Sequence, residues 1–430
     1  MSDDTAHSSS EHHAKTLVRG GRPLPPRLLS MGMQSLDALL FSMAYTIYGL
    51  YAVKAATLGP LELTLVGTLM ELAVFLTEIP TGMVADLYSR RLSVILGLGI
   101  IGTGIALIGV IPTFWCMALG SVLWGVGGTC ISGAHQAWLA DEIGEVQAAP
   151  VYLRATQLSH VGSLVGIPLS VALASIQLPL PLWVSGAGFW GLAGLLLWTM
   201  PEQGYRPTAP AQRHAWQGLC ATWRAGLATV RGRAALCSIL MITVLYGMSS
   251  EAVSRLTPLY MLDTLGLPSG FAEATWFGIL QAGSSLGGAV VTWGLSQTTA
   301  LHNPQRIVQI LLALTVVMLL ATLLFALAGI FWLALLAVWM TRWMRIAMRP
   351  LVVAWANRGL APGARATVLS MLGQAEALGE VCGGPLLGLV GTLHTVRTAL
   401  VGAAMVLLPA LPLYGQALRH SKQEAHEASW

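Results

Sequence analysis

The sequence predicts an all-α membrane protein, with twelve transmembrane helices in two pseudo-symmetric six-helix bundles. Three observations predict it: a composition too apolar for water, twelve stretches of spanning length, and a repeat relating the two halves. Of 430 residues, 55% are hydrophobic and only 10% charged, and the mean hydropathy is +0.68. A soluble domain carries about 25% charged residues. The 47 glycines agree, since glycine is commoner in membrane helices than in soluble ones.

A helix needs about 20 apolar residues to cross the hydrocarbon core. Stretches that qualify lie at 34–54, 61–83, 92–112, 115–138, 154–176, 181–200, 235–260, 272–296, 307–328, 330–355, 366–390 and 396–417. One long gap, 201–233, contains Pro201, Pro207 and Pro210 and separates six spans from six. The expected organisation follows: a disordered cytosolic tail (1–33), a bundle (34–200), a cytosolic linker with an interfacial helix (201–233), a second bundle (234–417) and a cytosolic C-terminal tail (418–430). "RATQLS" at 154–159 recurs as "RATVLS" at 365–370, each copy opening the fifth span of its half, and Gly162 is matched by Gly373 at the same offset. Two bundles related by an axis along the membrane normal form a recognised transporter plan.

Lys and Arg mark the cytosolic side. With the N-terminus inside, 17 of the 23 fall at cytosolic segments or span edges. Only Lys54 and Arg397 fall outside, and Arg255, Arg342, Arg345 and Arg349 lie within spans. Both termini are therefore expected in the cytosol of a bacterial cell, with the chain in its inner membrane.

Several classes are excluded. The five cysteines are scattered without a C-x-x-C pair, so neither a disulfide framework nor a zinc site is expected. Gly97-Leu98-Gly99-Ile100-Ile101-Gly102 matches a dinucleotide loop only in letters, because it lies inside an apolar span without a βαβ unit. There is no Walker loop, H-E-x-x-H or G-x-S-x-G. The chain reads as no enzyme, with no cofactor, metal or nucleic-acid partner. Its expected partners are the bilayer, protons and a small organic molecule, and it is expected to act as a monomer.

Between the second and third spans stands "GMVADLYSRR", with Gly82, Asp86, Arg90 and Arg91. The acid and the arginines can bond to each other and to helix ends, a latch expected to hold the bundles together on the cytosolic side in the outward-open state. Gly82 is expected to allow tight helix contact. The stretch resembles the signature loop of the major facilitator superfamily, G-x-x-x-D-R/K-x-G-R/K-R/K, with Leu87 for the first basic residue and Ser89 for the second glycine. The resemblance spans about residues 30 to 418 and implies a secondary transporter working by alternating access. Gly162-x-x-x-Gly166-Ile167-Pro168 and Gly383-Gly384-Pro385 are similar to the Gly-Pro element of drug/proton antiporters. The fourth span lacks the arginine that proton-coupled members carry, and the second copy of the loop has Gln297 where an acid is usual.

Ionisable groups at mid-bilayer are costly and functional by default. Glu71 and Glu78 share a face of the second span. Glu71 reads equally as proton carrier or buried hydrogen-bond partner, whereas Glu78 is expected to pair near Arg90 or Arg91. Glu251 and Arg255 can pair within one helix; equally, Glu251 is a proton-coupling candidate and Arg255 belongs to the charge network. Glu376 and Glu380 share a face of the eleventh span and resist joint ionisation, so one is expected to keep its proton; Glu376, roughly 16 Å deep, is the first candidate. Arg342, Arg345 and Arg349 form one stripe, expected to meet Glu376, Glu380 and Glu251 or to bind an anionic substrate. His135 joins this set as a proton-relay candidate whose plainer role is packing, as does His160. Asp37 is expected near a helix start. Tyr45, Tyr48, Trp124, Trp138, Tyr246 and Trp343 are candidates for lining an amphipathic cavity. The function expected is proton-coupled efflux of a small amphipathic compound, with uptake or exchange of an organic anion as the alternative.

Overall fold

The computed structural model describes residues 24–205, 230, 233–297, 303–358, 360 and 362–427. The first half contains α1 Pro26–Lys54, α2 Pro60–Leu87, α3 Arg90–Val110, α4 Phe114–Ile143, α5 Glu145–Ile176 and α6 Leu180–Thr199. The second contains α7 Ala234–Leu259, prolonged by a π-helical turn at Tyr260–Leu265, then α8 Glu273–Ser296, α9 Pro304–Leu327 and α10 Phe331–Ala356. It ends with α11 Pro362–Leu393, α12 Val396–Met405 and α13 Ala410–Glu427.

Local chemistry sets the ends. Proline opens α1, α2 and α9, where its missing N–H is harmless. Ser89, Asn303 and Thr395 cap the first turns of α3, α9 and α12. Gly144, at φ 82°, turns the chain from α4 directly into α5. Pro409 and Pro412 remove backbone donors where the last span breaks between α12 and α13.

Among the described residues ten spans are long and apolar enough to cross a membrane, counting Ala234–Leu265 and Val396–Arg419 as one each. The remaining two of the twelve, α8 and α11, carry polar interface residues, Gln281 and Ser284 on one and Gln374, Glu376 and Glu380 on the other. The first helix starts at Pro26, eight residues before the expected span, so Asp37 lies three turns inside α1 and not at its start. The interfacial helix expected within 201–233, the tail before residue 24 and residues 298–302 of the second signature loop lie outside the described residues.

The two halves repeat one packing theme. In the first, Gly162 and Gly166 of α5 sit against the Ser35 and Leu39 carbonyls of α1, too close for any Cβ. Ser163 and Ser170 add hydroxyl bonds to the Ala38 and Met43 carbonyls at 3.4 and 2.7 Å. In the second, α7 and α11 meet in the same way, with Gly247 against the Glu376 carbonyl and Gly379 against that of Val244. Gly373, the repeat partner of Gly162, has open space beside it and does not share this role.

The joins between bundles are concentrated from mid-membrane to the end carrying Lys54. There Lys54 of α1 pairs with Glu273 of α8 at 2.7 Å, and the Leu61 N–H of α2 donates to Thr392 of α11 at 3.2 Å. Thr64 and Thr68 of α2 press on Gly388 and Gly384 of α11, and Pro258 of α7 presses on Gly49 of α1. Among the described residues no hydrogen bond or ion pair joins the bundles at the end carrying Arg90, which is the open one.

Candidate functional site

A cavity of about 320 Å³ lies between the bundles, lined by Phe41, Tyr45 and Tyr48 of α1, Met70, Val74 and Glu78 of α2, Ser121, Trp124 and Ser132 of α4, and Arg255 of α7. Its volume is at the lower end for small-molecule sites. Phe41 stacks on Tyr45 with ring centroids 5.6 Å apart and meets Trp124 edge-on at 5.2 Å, while Tyr48 meets the same indole at 6.2 Å. Sequence reasoning named Tyr45, Tyr48 and Trp124 but missed Phe41, although it lies one helical turn from Tyr45. The other aromatic candidates are packing residues. Trp138 donates to the Pro201 carbonyl at 2.7 Å, Tyr246 bonds Thr315 and Tyr414, and the Trp343 indole donates to the Gly283 carbonyl at 2.9 Å.

The inner wall of this cavity joins the bundles. The Tyr45 and Ser254 hydroxyls are 3.4 Å apart, and the Arg255 guanidinium lies over the Tyr48 ring at 5.8 Å. Behind this partition is a second space of about 50 Å³, reached by Tyr45, Tyr48, Ser254, Arg255, Gln281 and Arg342.

The charged side chains fall into three groups. Glu251 and Arg255 pair at 2.8 Å, as their i,i+4 spacing predicts, and the pair rests against Gly67 of α2 in the other bundle. Arg345 binds Glu376 at 3.0 Å and Glu380 at 3.1 Å. Glu380 also accepts from Ser250 at 3.4 Å, and it is within hydrogen-bonding reach of Glu71 of α2. Two turns further along the same seam, the Gln374 amide donates to Glu78 at 2.7 Å.

Four expectations change. Glu78 meets Gln374 across the interface and not Arg90 or Arg91, because the face it shares with Glu71 is turned towards α11. Arg342 leaves the carboxylates: it reaches Gln281 and Ser284 of α8, at 3.4 and 3.2 Å. Arg349 is exposed and forms no ion pair among the described residues. His135 is 5% exposed, 3.2 Å from the Ser30 hydroxyl and stacked near Trp138, so it packs α4 on α1 and stands apart from the charge network.

The signature loop is a tight knot at the Arg90 end. Arg90 pairs with Asp141 of α4 at 2.5 Å and with Asp86 at 3.4 Å, and Tyr205 donates to the Asp86 carbonyl at 2.7 Å. Ser89 caps α3 and also donates to Glu202, which accepts the Arg91 N–H at 3.0 Å. An acid at a helix start is favoured by the exposed N–H groups there. Among the described residues all these partners belong to the first half. In this structure, with the Arg90 end open, these contacts brace the first bundle, and Gly82 has open space beside it. Asp141 and Glu202 were missed, although each is an acid at the end of an apolar run. Asp141→Asn is expected to cost about 1–3 kcal/mol by stranding part of Arg90, read as a lower melting temperature of the purified protein with no change in ligand affinity.

Comparison with known proteins agrees with this geometry. Residues 31–379 match the family model described as Major Facilitator Superfamily. Among curated proteins none matches the chain. Among solved structures, nucleoside transporter NupG is 14% identical with a TM-score of 0.74, covering 92% of this chain and 99% of its own. A bacterial homologue of the human lysosomal transporter Spinster, inward-facing and unoccupied, is 15% identical with a TM-score of 0.74 over 92% and 97%. The human organic anion transporter MFSD10 is 17% identical with a TM-score of 0.57 over 91% and 100%. At these identities the likeness is one of fold.

Proposed function

Since the chain belongs to the major facilitator superfamily and is an integral membrane protein of the secondary-transporter type, we propose that it exports a small amphipathic organic compound in exchange for protons. The observation that carries this reading is the meeting of Glu71 and Glu380 across the bundle interface, beside Arg345 and next to an aromatic cavity. Two carboxylates that close resist joint ionisation, and a hydrogen bond between them needs a proton on one.

The cycle follows from where that proton sits. Shared between α2 and α11, it helps hold the seam that seals the Lys54 side, while the cavity lies open on the Arg90 side. Loss of the proton leaves facing charges on the two bundles and loosens the seam. Substrate loaded from the open side then leaves through the other, and a new proton restores the contact. The Arg90 side is assigned to the cytosol, together with both termini, from the distribution of Lys and Arg. The chain acts as a monomer in a bacterial inner membrane. Glu376 stays with Arg345 as an anchor, and Glu251 stays with Arg255. In domain terms, residues 34–200 and 234–417 move as two bundles about the linker between them.

The alternative in which three arginines of α10 bind an anion is weakened by two contacts, since Arg345 is occupied by two carboxylates. The test uses inside-out vesicles with an acidified lumen, a pH-sensitive dye and a panel of amphiphiles of each charge. Some compound is expected to release protons from the lumen. Solute exchange in the same vesicles without any proton movement, for every transported compound, overturns the antiport reading.

A further inference from the structure

We propose that the transported compound is an aromatic carboxylate, its ring held by Phe41, Tyr48 and Trp124 and its carboxylate by Arg342. The inference rests on the transport reading only in taking the central cavity as the substrate's place. Of the four arginines within spans, Arg255 has Glu251 and Arg345 has Glu376 and Glu380. Arg349 is exposed towards the open side. Arg342 stands at the middle of α10 and, among the described residues, its hydrogen bonds go only to neutral polar groups, the Gln281 side-chain oxygen and the Ser284 hydroxyl. A guanidinium at that depth is costly without an anion. Five donors in a planar fork suit a carboxylate held bidentately, and Gln281 and Ser284 fill only one nitrogen, at long range.

The space beside Arg342 sets the size of the anion. At about 50 Å³ it takes one small group, and one uncompensated positive charge calls for one negative charge. A carboxylate meets both conditions, whereas a phosphate monoester carries about −1.5 to −2 at neutral pH. The larger cavity and the smaller one share Tyr45, Tyr48 and Arg255 as their common wall. A ring in the first therefore directs a short carboxylate arm at the second once the Tyr45–Ser254 contact parts. Glu78, in the wall on the open side and bonded among the described residues by Gln374, repels an anion held in the opposite orientation, so the bound acid points its carboxylate inward to Arg342.

A consequence is electrical. A monoanion leaving as one proton enters moves two charges per cycle in one electrical direction, so an interior-negative potential counts twice in the driving force for export and the pH gradient once.

The test measures binding to the purified full-length protein of benzoate and naphthoate, their methyl esters and the matching benzylic amines, with no proton gradient. In the wild type each acid is expected to bind about 10- to 100-fold more tightly than its ester, the range of one charge-assisted contact. Arg342→Gln is expected to erase that preference while leaving ester affinity within about twofold, and Arg342→Lys to retain part of it. An acid that binds no better than its ester overturns the proposal, as does a panel in which only the amines bind, which would point to Glu78 as the charge reader. Because the acid–ester comparison is made in the wild type, a misfolded variant cannot decide the outcome. Acid selectivity without proton movement would sink the antiport reading and leave this site intact, and proton movement with charge-blind binding would do the reverse.

Discussion

Glu380→Gln is expected to lower proton-driven transport by about 100-fold or more, equivalent to ~2.8 kcal/mol at 1.4 kcal/mol per decade, while substrate exchange without a gradient continues. Among the described residues Glu380 is the carboxylate that meets both the arginine anchor, Arg345 at 3.1 Å, and the opposite bundle, through Glu71 across the seam, and it also accepts from Ser250 at 3.4 Å. Glutamine keeps the size and the hydrogen bonds but fixes the neutral state, so the site can no longer report proton release. Glu71→Gln is expected to fall between this variant and the wild type. Glu376→Gln is expected to cost little, because Arg345 keeps Glu380 and Glu376 lies one-third exposed. Gradient-driven uptake and counterflow in the same vesicles separate coupling from binding. Full gradient-driven transport by Glu380→Gln, or a larger loss in Glu376→Gln, would return the proton to the site that the sequence favoured.

Gly388→Val is expected to reduce transport by at least about tenfold by a different route. Gly388 faces Thr64 and the Leu61 backbone so closely that no Cβ fits. A branched side chain there wedges α2 from α11 and opens the Lys54 side. The readout is the reaction of a Thr68→Cys variant with a membrane-impermeant maleimide from that side. Thr68 is 7% exposed, so labelling is expected to be slow in the parent and fast with Gly388→Val. Equal labelling in both would show that the seam does not govern access.

What was legible in the sequence was whatever depends on a single helix. The spans, the Glu251–Arg255 pair and the shared face of Glu71 and Glu78 are all consequences of helical period. The partners of the α10 arginines were not legible, because they depend on which neighbour lies beside each angular sector. Arg342 and Arg345 are three residues apart, about 60° around the helix, and that rotation moves the guanidinium from α8 to α11. Arg349 returns to the α8 sector but two turns nearer the open end, where the bundles have parted. Asp141 and Glu202 escaped notice for the opposite reason: they are acids at span ends, where charge is ordinary, and only the fold brings them to Ser89, Arg90 and Arg91. Nothing in the spacing of residues separated Trp124, which faces the cavity, from Trp138, about four turns on and within about 40° of the same angular sector, which is buried against Pro201.

The glycine-to-carbonyl pairing of α1 with α5 and of α7 with α11 has a mechanical meaning. Backbones in direct contact leave no compliant layer of side chains between them, so each bundle is a stiff lever. Work done by one proton at a single point on the α2–α11 seam is then transmitted to the far end of the molecule, with little lost as internal bending. Widening either pair, for instance at Gly166 or Gly379, would soften the lever and let protons pass without moving their cargo.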